Sequence, residues 1–321
     1  MNCAGAPMCL TVNETHRHMA AMNAWEPIAN DRHAPLPAPF EVRRSRRDGE
    51  PAPTPLVFAS PHSGRLYPDD MMAAAALDAH AIRRSEDAFV DELIECASRH
   101  GAAVISANLA RAYIDVNREA FELDQTMFAD ELPDFARART ARVAAGLGAI
   151  ARVVSEGQEI YARKLPFEEA RRRIENVHTP YHAALARLLG EAHAAHGYAI
   201  LVDWHSMPAA AARVGGRSGC DMVLGDRFGA ACAPLVTQTV ERELEAFGYQ
   251  VARNAPYAGG YTTEHYGRPG RRTHALQIEI NRALYLNEVS LQPTAGFAKL
   301  KANLEAMIAT LGRTDWSGLK A

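Results

Sequence analysis

Leu201-Val-Asp-Trp-His-Ser206 closes an apolar run and predicts a buried β-strand that carries a histidine at its C-terminal edge. The run begins at Tyr198, and its partly β-branched composition fits a strand covered on both faces. Asp203 lies two residues before His205, so the two side chains point to the same face of a strand. Asp203 could therefore orient the imidazole, as metal-bound histidines usually require. A single Asp-x-His pair also fits ordinary hydrogen bonding, so the interpretation depends on other strand ends.

Two further stretches have the same form. Residues 56–59 give a short buried strand that stops at Ser60-Pro-His-Ser-Gly64, which places His62 after the strand end. Residues 275–282 alternate apolar and polar side chains, as a half-buried strand does, and carry Glu279 toward the same edge. We therefore expect His62, His205 and Glu279 to converge.

Arginines near predicted strand ends indicate recognition of a carboxylate. Residues 112–116 predict a strand that ends in Asn117-Arg118, and the planar guanidinium of arginine can donate two parallel hydrogen bonds to a carboxylate. A surface salt bridge is the alternative role. The glycine-bounded segment 146–154 carries a second such residue, Arg152, but it lacks the full GxGxxG pattern of a dinucleotide loop.

Composition limits the class of protein. The chain has 321 residues and a net charge of −3, so nothing favours nucleic acid as a partner. Its five cysteines show no CxxC spacing, which argues against a zinc ribbon or a disulfide framework. No apolar run reaches the roughly 20 residues that a membrane span needs, and no signal peptide is recognisable. We expect a cytoplasmic protein without membrane contact.

Alternating strands and helices predict an α/β sheet with helices on both faces. Helices are expected after Ser85, over 166–196 with a break at Pro180, and over 227–247 and 291–311. Residues 1–50 read as a poorly ordered extension, and residues 51–321 as a single catalytic domain. Two histidines, one carboxylate and an open water position make a catalytic zinc site, and a further glutamate could serve as its general base.

The sequence resembles the N-formylglutamate amidohydrolase family. The resemblance covers most of residues 50–305 and follows the order of six motifs: Ser60-Pro-His-Ser-Gly64, Ala112-Tyr-Ile-Asp-Val-Asn-Arg118, Gly146-Leu-Gly-Ala-Ile-Ala-Arg-Val-Val154, Asp203-Trp-His-Ser206, Gly259-Gly260 and Gln277-Ile-Glu-Ile-Asn281. That family is distantly similar to the zinc carboxypeptidases. The resemblance implies a three-layer α/β/α fold with a mixed central sheet, of the zinc-exopeptidase and phosphorylase/hydrolase-like type.

The acidic metal ligand is the least certain residue of the implied site. In the carboxypeptidases the first zinc histidine and its acid are three residues apart, whereas Arg65 stands three residues after His62 here. Asp87 is our preferred acid and Glu86 the second candidate, because they form the next acidic cluster that a helix could return to the site. Asp69 and Asp70 remain alternatives.

The resemblance also implies a reaction. Zn²⁺, or another divalent metal, bound by His62, an acid and His205 would assist hydrolysis of N-formyl-L-glutamate to formate and glutamate, the last step of one histidine degradation route. Glu279 would act on water, Arg118 with Asn117, Arg152 and Arg111 would hold the substrate's carboxylates, and Gly259-Gly260 would close over them. The alternatives are a zinc hydrolase of another N-acyl amino acid, a carboxypeptidase-like peptidase, and a non-catalytic metal-binding module. The oligomeric state is left open.

Overall fold

A seven-stranded mixed sheet forms the centre of the computed structural model, which describes residues 37–45, 52–154, 157–213 and 219–320. The strands are β1 (Phe40–Arg43), β2 (Leu56–Ser60), β3 (Ala103–Ala107), β4 (Ala199–Met207), β5 (Met222–Gly225), β6 (Val251–Arg253) and β7 (Thr273–Asn281), and their order is β1-β3-β2-β4-β7-β5-β6. β3, β2, β4 and β7 are parallel to one another. β1 pairs antiparallel with β3, and β5 pairs antiparallel with β7.

Helices and short turns connect these strands. The α-helices are α1 (Asp69–Ala74), α2 (Ala79–Arg83), α3 (Val90–Leu93), α4 (Ala141–Ala144), α5 (Phe167–Arg173), α6 (Thr179–His196), α7 (Pro234–Ala246), α8 (Tyr261–Tyr266) and α9 (Gly296–Arg313). A 3₁₀ segment, Glu95–His100, precedes β3, and a small hairpin joins Leu286–Asn287 to Gln292–Pro293. No helix among the described residues is both long and apolar enough to cross a membrane.

The sheet is covered on both faces, as predicted for strand β4, whose nine residues are all buried. Ile200, Val202 and Trp204 pack into the core on the face that α7 and α9 cover. Ala199 and Leu201 alternate with them and pack against α6 on the opposite face. This two-sided burial confirms the predicted three-layer α/β/α fold with a mixed sheet.

Two local predictions differ from the structure. Residues 112–116 form a buried turn instead of a strand, because Tyr113 N donates to Ala110 O and Asp115 N donates to Ala149 O rather than to a neighbouring strand. Helices α5 and α6 are joined by one π-helical segment, Ile174–His178, so Pro180 does not break the helix. Pro180 lies in the first turn of α6, where a missing N–H costs little.

The sheet begins before residue 51, where we placed the start of the catalytic domain. β1 supplies an edge strand from Phe40 to Arg43, and one compact unit extends from Pro35 to the C-terminus. Residues 1–36 lie outside the described residues, so the predicted disorder of the N-terminal extension stays a prediction.

Candidate active site

Three parallel strands deliver the central side chains to one edge of the sheet. His62 follows β2, and the pairing of β4 with β7 sets His205 opposite Glu279. Asp87 reaches the same place from the segment before α3, because its backbone N–H donates to His62 O at 2.9 Å. The carboxyl ends of parallel strands are a common place for ligand sites in α/β sheets.

His62, Asp87 and His205 form a compact group of donor atoms. Asp87 Oδ2 lies 3.0 Å from His205 Nδ1 and 3.4 Å from His62 Nδ1, and the two imidazole centroids are 4.6 Å apart. Each of the three residues is 2% exposed, and their ligand atoms all lie within 4.8 Å of one another. The sequence predicted this convergence, and the group could hold a metal ion.

The surroundings of the two histidines fit a metal ion. His62 Nε2 lies 2.7 Å from Asp115 Oδ1, and His205 Nε2 lies 3.1 Å from Asp203 Oδ2. With Nε2–H donated to these carboxylates, each Nδ1 is left to face Asp87, and the buried His62 Nδ1 has no hydrogen-bond partner among the described residues. Metal-bound histidines are usually held by such carboxylates. The predicted partnership of Asp203 with His205 is therefore confirmed.

The electrostatics of the site favour a cation. Burial raises the pKa of Asp87, but the neighbouring imidazoles of His205 and His62 outweigh it and hold the pKa well below its usual value. Burial lowers the pKa of His205, but Asp203 and Asp87 together hold it well above its usual value. The site thus stabilises positive charge at the position that a metal ion would occupy.

Arg282 fixes the orientation of Asp87, and sequence reasoning missed it. Its Nη2 donates to Asp87 Oδ1 at 2.9 Å and to Glu86 O at 2.7 Å, while its Nε donates to Ser206 Oγ at 3.1 Å. Asp87 therefore keeps Oδ2 for the histidines. The signal was present, since Asn281-Arg282 ends β7 as Asn117-Arg118 ends the second family motif.

Asp115 was also missed, although it lies in that motif. Besides His62, its carboxylate binds Arg111, whose Nη2 donates to Oδ2 at 2.6 Å. Burial raises the pKa of Asp115, but Arg111 and His62 lower it well below its usual value. Arg111 lines the cavity, and its present partner is this carboxylate.

Glu279 is buried beside the metal-binding group. It lines a cavity of about 590 Å³ together with His62, Asp87 and His205. Burial raises the pKa of Glu279, to about 7, although His205 opposes the shift. A carboxylate with a pKa near neutrality suits general base catalysis.

Arg118 borders the same cavity with a charge that the protein only partly balances. Its Nε donates to Leu147 O at 2.9 Å and its Nη1 to Asn117 O at 2.8 Å, and Asp115 Oδ2 lies 3.9 Å away. Burial lowers the pKa of Arg118, which reflects the cost of this charge in the fold. An anionic ligand in the cavity would offset that cost.

Asn117 braces the surroundings of His205. Its Nδ2 donates at 3.4 Å to Asp203 Oδ2, the carboxylate oxygen that also faces His205 Nε2, and its Oδ1 accepts the backbone N–H of Thr262 at 2.8 Å. The amide therefore holds the partner of His205 and the first turn of α8. Asn117 also lines the cavity, so its predicted contact with a substrate carboxylate stays a prediction.

Arg152 lies outside the cavity, so the prediction that it binds the substrate does not hold. Its Nε donates to Asp124 Oδ2 at 2.9 Å and its Nη1 to Glu159 Oε1 at 3.1 Å. These two acids hold the guanidinium outside the cavity. Gly259 and Gly260 do line the cavity, and Gly259 adopts φ +117°, which favours glycine.

The remaining acidic candidates are placed elsewhere. Glu86 is buried, but its Oε1 accepts from Tyr67 at 2.7 Å and from Arg83 at 3.0 Å, so its carboxylate faces away from the histidines. Asp69 and Asp70 begin α1, where Asp70 pairs with Arg172. Of the four acids weighed from sequence, the structure brings Asp87 to the histidines.

Comparison with known proteins agrees with this arrangement. A model of the N-formylglutamate amidohydrolase family matches residues 54–286. An N-formylglutamate deformylase of Pseudomonas putida is 30% identical in an alignment of 266 positions that covers 79% of this chain and 92% of the relative. A second relative of that name, from Pseudomonas aeruginosa, is 29% identical over 260 residues, 80% of this chain and 91% of its own length.

Solved structures add the fold. The crystal structure of an N-formylglutamate amidohydrolase from Ralstonia eutropha superposes with a TM-score of 0.81 and 37% identity, over 86% of this chain and 98% of that one. A gene product of Agrobacterium tumefaciens has a TM-score of 0.54 at 17% identity, over 85% of this chain and 94% of that one, which supports the fold alone.

Proposed function

The chain belongs to the N-formylglutamate amidohydrolase family, and from that premise we propose that it hydrolyses N-formyl-L-glutamate to formate and L-glutamate. The observation that carries the proposal is the group of His62, Asp87 and His205 beside the buried Glu279, in one cavity with Arg118. A binding module would need the first three residues but no general base. Hydrolysis uses all five.

Zinc is the metal that we propose for the site. Two imidazole nitrogens and one carboxylate oxygen are the donor set of many catalytic zinc sites, which leave a position open for water. His62 Nδ1, His205 Nδ1 and Asp87 Oδ2 would hold the ion. When bound, zinc would supply Lewis acidity to the attacking water and to the formyl oxygen.

Glu279 is the proton carrier of the proposed reaction. It accepts a proton from the attacking water and delivers it to the nitrogen of the leaving amine. The amide C–N bond breaks, and formate and L-glutamate are released. Burial of Glu279 keeps this transfer away from bulk solvent.

Arg118 would bind a carboxylate of the substrate. Two backbone carbonyls already hold its guanidinium in the folded protein. Less side-chain entropy is therefore lost when the substrate binds. Arg111 contributes indirectly, because its bond to Asp115 sets the partner of His62. The Gly259-Gly260 turn also lines the cavity.

The cellular setting belongs to the same proposal. The described cysteines Cys96, Cys220 and Cys232 are unpaired, which agrees with a reducing cytoplasm. Release of L-glutamate from N-formyl-L-glutamate is the last step of one histidine degradation route in this family, and we propose that place for the enzyme. Its partner is a small N-acyl amino acid.

A substrate panel tests the proposal. Zinc-loaded protein is assayed with the N-formyl, N-acetyl and N-succinyl derivatives of L-glutamate and with N-formyl-L-glutamine. We expect the highest kcat/KM for N-formyl-L-glutamate. A higher value for another acyl group would favour a different N-acyl amino acid hydrolase, and no turnover on any of them with zinc bound would favour a non-catalytic module.

A further inference from the structure

Gln277 joins the proposed base to the glycine turn. It lies two residues before Glu279 in β7, so the two side chains share one face of the strand. Gln277 Nε2 donates to Glu279 Oε1 at 2.7 Å, and Gln277 Oε1 accepts the backbone N–H of Gly260 at 2.7 Å. Gln277 is 4% exposed and borders the cavity, so little solvent competes for these bonds.

The backbone around Gln277 is built for this close approach. Gly225 of β5 stands opposite Gln277, and a Cβ at Gly225 would lie 2.7 Å from Gly259 N. A Cβ at Gly260 would lie 2.6 Å from Asn117 Nδ2. Because both positions are glycine, the turn can pass between Asn117 and the end of the sheet and bring Gly260 N to Gln277.

The hydrogen bond from Gly260 determines which end of the Gln277 amide faces Glu279. Since the amide oxygen accepts a backbone N–H, the amide nitrogen must point to Glu279. Glu279 Oε1 then accepts a hydrogen bond from that nitrogen, which leaves Oε2 as the oxygen free to take a proton. Without this hydrogen bond the carboxylate could rotate and turn its free oxygen away from the water.

We propose that Gln277 is a positioning residue for the hydrolysis: it holds Glu279 so that Oε2 receives the proton of the attacking water. The same side chain links this orientation of Glu279 to the position of the Gly259-Gly260 turn. The inference rests on the proposed function and deepens it. Gln277 does not touch the reacting atoms, so its effect should act through Glu279.

Two substitutions distinguish the contributions of the two hydrogen bonds that Gln277 makes. An ionised Gln277→Glu side chain can still accept the N–H of Gly260 but cannot donate to Glu279, whereas Gln277→Met loses both bonds, so Gln277→Glu is assayed above the pH at which its carboxyl ionises. We expect Gln277→Glu to lower kcat by about 10²-fold with KM within about threefold, since a small misplacement of a catalytic group has costs of that order. Gln292→Glu, on an exposed strand that does not line the cavity, is the matched control and should leave both parameters unchanged.

A double-mutant cycle distinguishes positioning from general support of the fold. In a Glu279→Gln background, Gln277→Glu should lower the residual kcat by no more than about threefold, because a residue that acts through Glu279 couples strongly to it. Zinc content and melting temperature are measured on every variant. If Gln277→Glu lowered kcat as much in that background as in the unmodified protein, the inference would be overturned.

The remaining outcomes also decide the matter. If the unmodified protein releases formate and Gln277→Glu keeps its kcat, the inference is wrong while the proposed function stands. If the unmodified protein releases no formate from N-formyl-L-glutamate, the proposed function fails and the inference fails with it. If Gln277→Met does not fold, Gln277→Glu carries the test alone.

Discussion

Glu279 is the residue on which the proposed chemistry depends most. It is buried in the cavity beside His205, and burial raises its pKa to about 7. Glu279→Gln keeps the shape of the side chain but removes the base, so we expect kcat to fall by at least about 10²-fold while zinc stays bound. Steady-state formate release and metal analysis check this. Glu245→Gln, an exposed change on α7, is the control; near-normal turnover by Glu279→Gln would remove Glu279 from the mechanism.

Two arginines test how the substrate is held. Arg118 borders the cavity, whereas Arg152 pairs with Asp124 and Glu159 outside it. Arg118→Met should lower kcat/KM for N-formyl-L-glutamate by roughly 10- to 10²-fold, because a hydrogen bond to a charged group contributes about 1.5–3 kcal/mol. Arg152→Met should stay within about threefold of the unmodified protein, as partly exposed ion pairs contribute little. Equal losses in the two variants would contradict the assignment.

Arg282 tests the support of the metal site. Arg282→Met removes the bond to Asp87 Oδ1 that leaves Oδ2 for the metal. We expect zinc affinity to fall by about 10- to 100-fold, the usual effect of losing a residue that orients a ligand. Competition with a chromophoric chelator measures it, and Arg242→Met on an exposed face of α7 is the control. Unchanged affinity would show that Asp87 needs no such support.

Sequence reasoning found residues whose position depends on a strand end and missed those placed by a turn. His62, His205 and Glu279 were predictable, because neighbouring parallel strands bring their ends together. Asp115 lies in a turn, and its contact with His62 spans 53 positions of the chain. Arg152 was misplaced because two acids, Asp124 and Glu159, compete for it, which local sequence does not reveal.

At the scale of elements, strand β5 controls how closely the glycine turn approaches the sheet. Gly225→Ala would put a methyl group 2.7 Å from Gly259 N, so the turn must shift. We expect kcat/KM to fall by roughly 10-fold or more, because the hydrogen bond from Gly260 to Gln277 would lengthen. Gly270→Ala, which has open space around it, is the control. Unaltered kinetics in Gly225→Ala would mean that the turn has no part in catalysis.

The sequence predicted the positions of elements with a strong periodic pattern, but it did not predict which segments pair as strands. The apolar run at β4 lies where the sequence placed it, and α6, α7 and α9 overlap their predicted ranges, although α7 begins at Pro234 rather than at residue 227 and α9 at Gly296 rather than at residue 291. Residues 112–116 have the composition of a strand, but their backbone groups bond within turns while their side chains fill the core. β1 was missed, since its four residues, of which Glu41 is exposed and the others half-buried, show too short a pattern to identify.

At the scale of the whole molecule, the alternation of strands and helices predicted the layers, and the family resemblance supplied the mixed sheet. Neither gave the direction of each strand. β1 runs antiparallel to β3, and β5 runs antiparallel to β7 but parallel to β6. The mixed order places β2, β4 and β7 together, and this sets His62, His205 and Glu279 at one edge.

The most direct test of the whole account is formate release from N-formyl-L-glutamate as zinc is added back to metal-free protein. We predict no release after chelation and a rise that reaches its maximum at one zinc ion per chain, since His62, Asp87 and His205 form one site. A protein with Asp87→Asn should need more zinc for the same rate. Undiminished formate release by the chelated, metal-free protein would contradict the account.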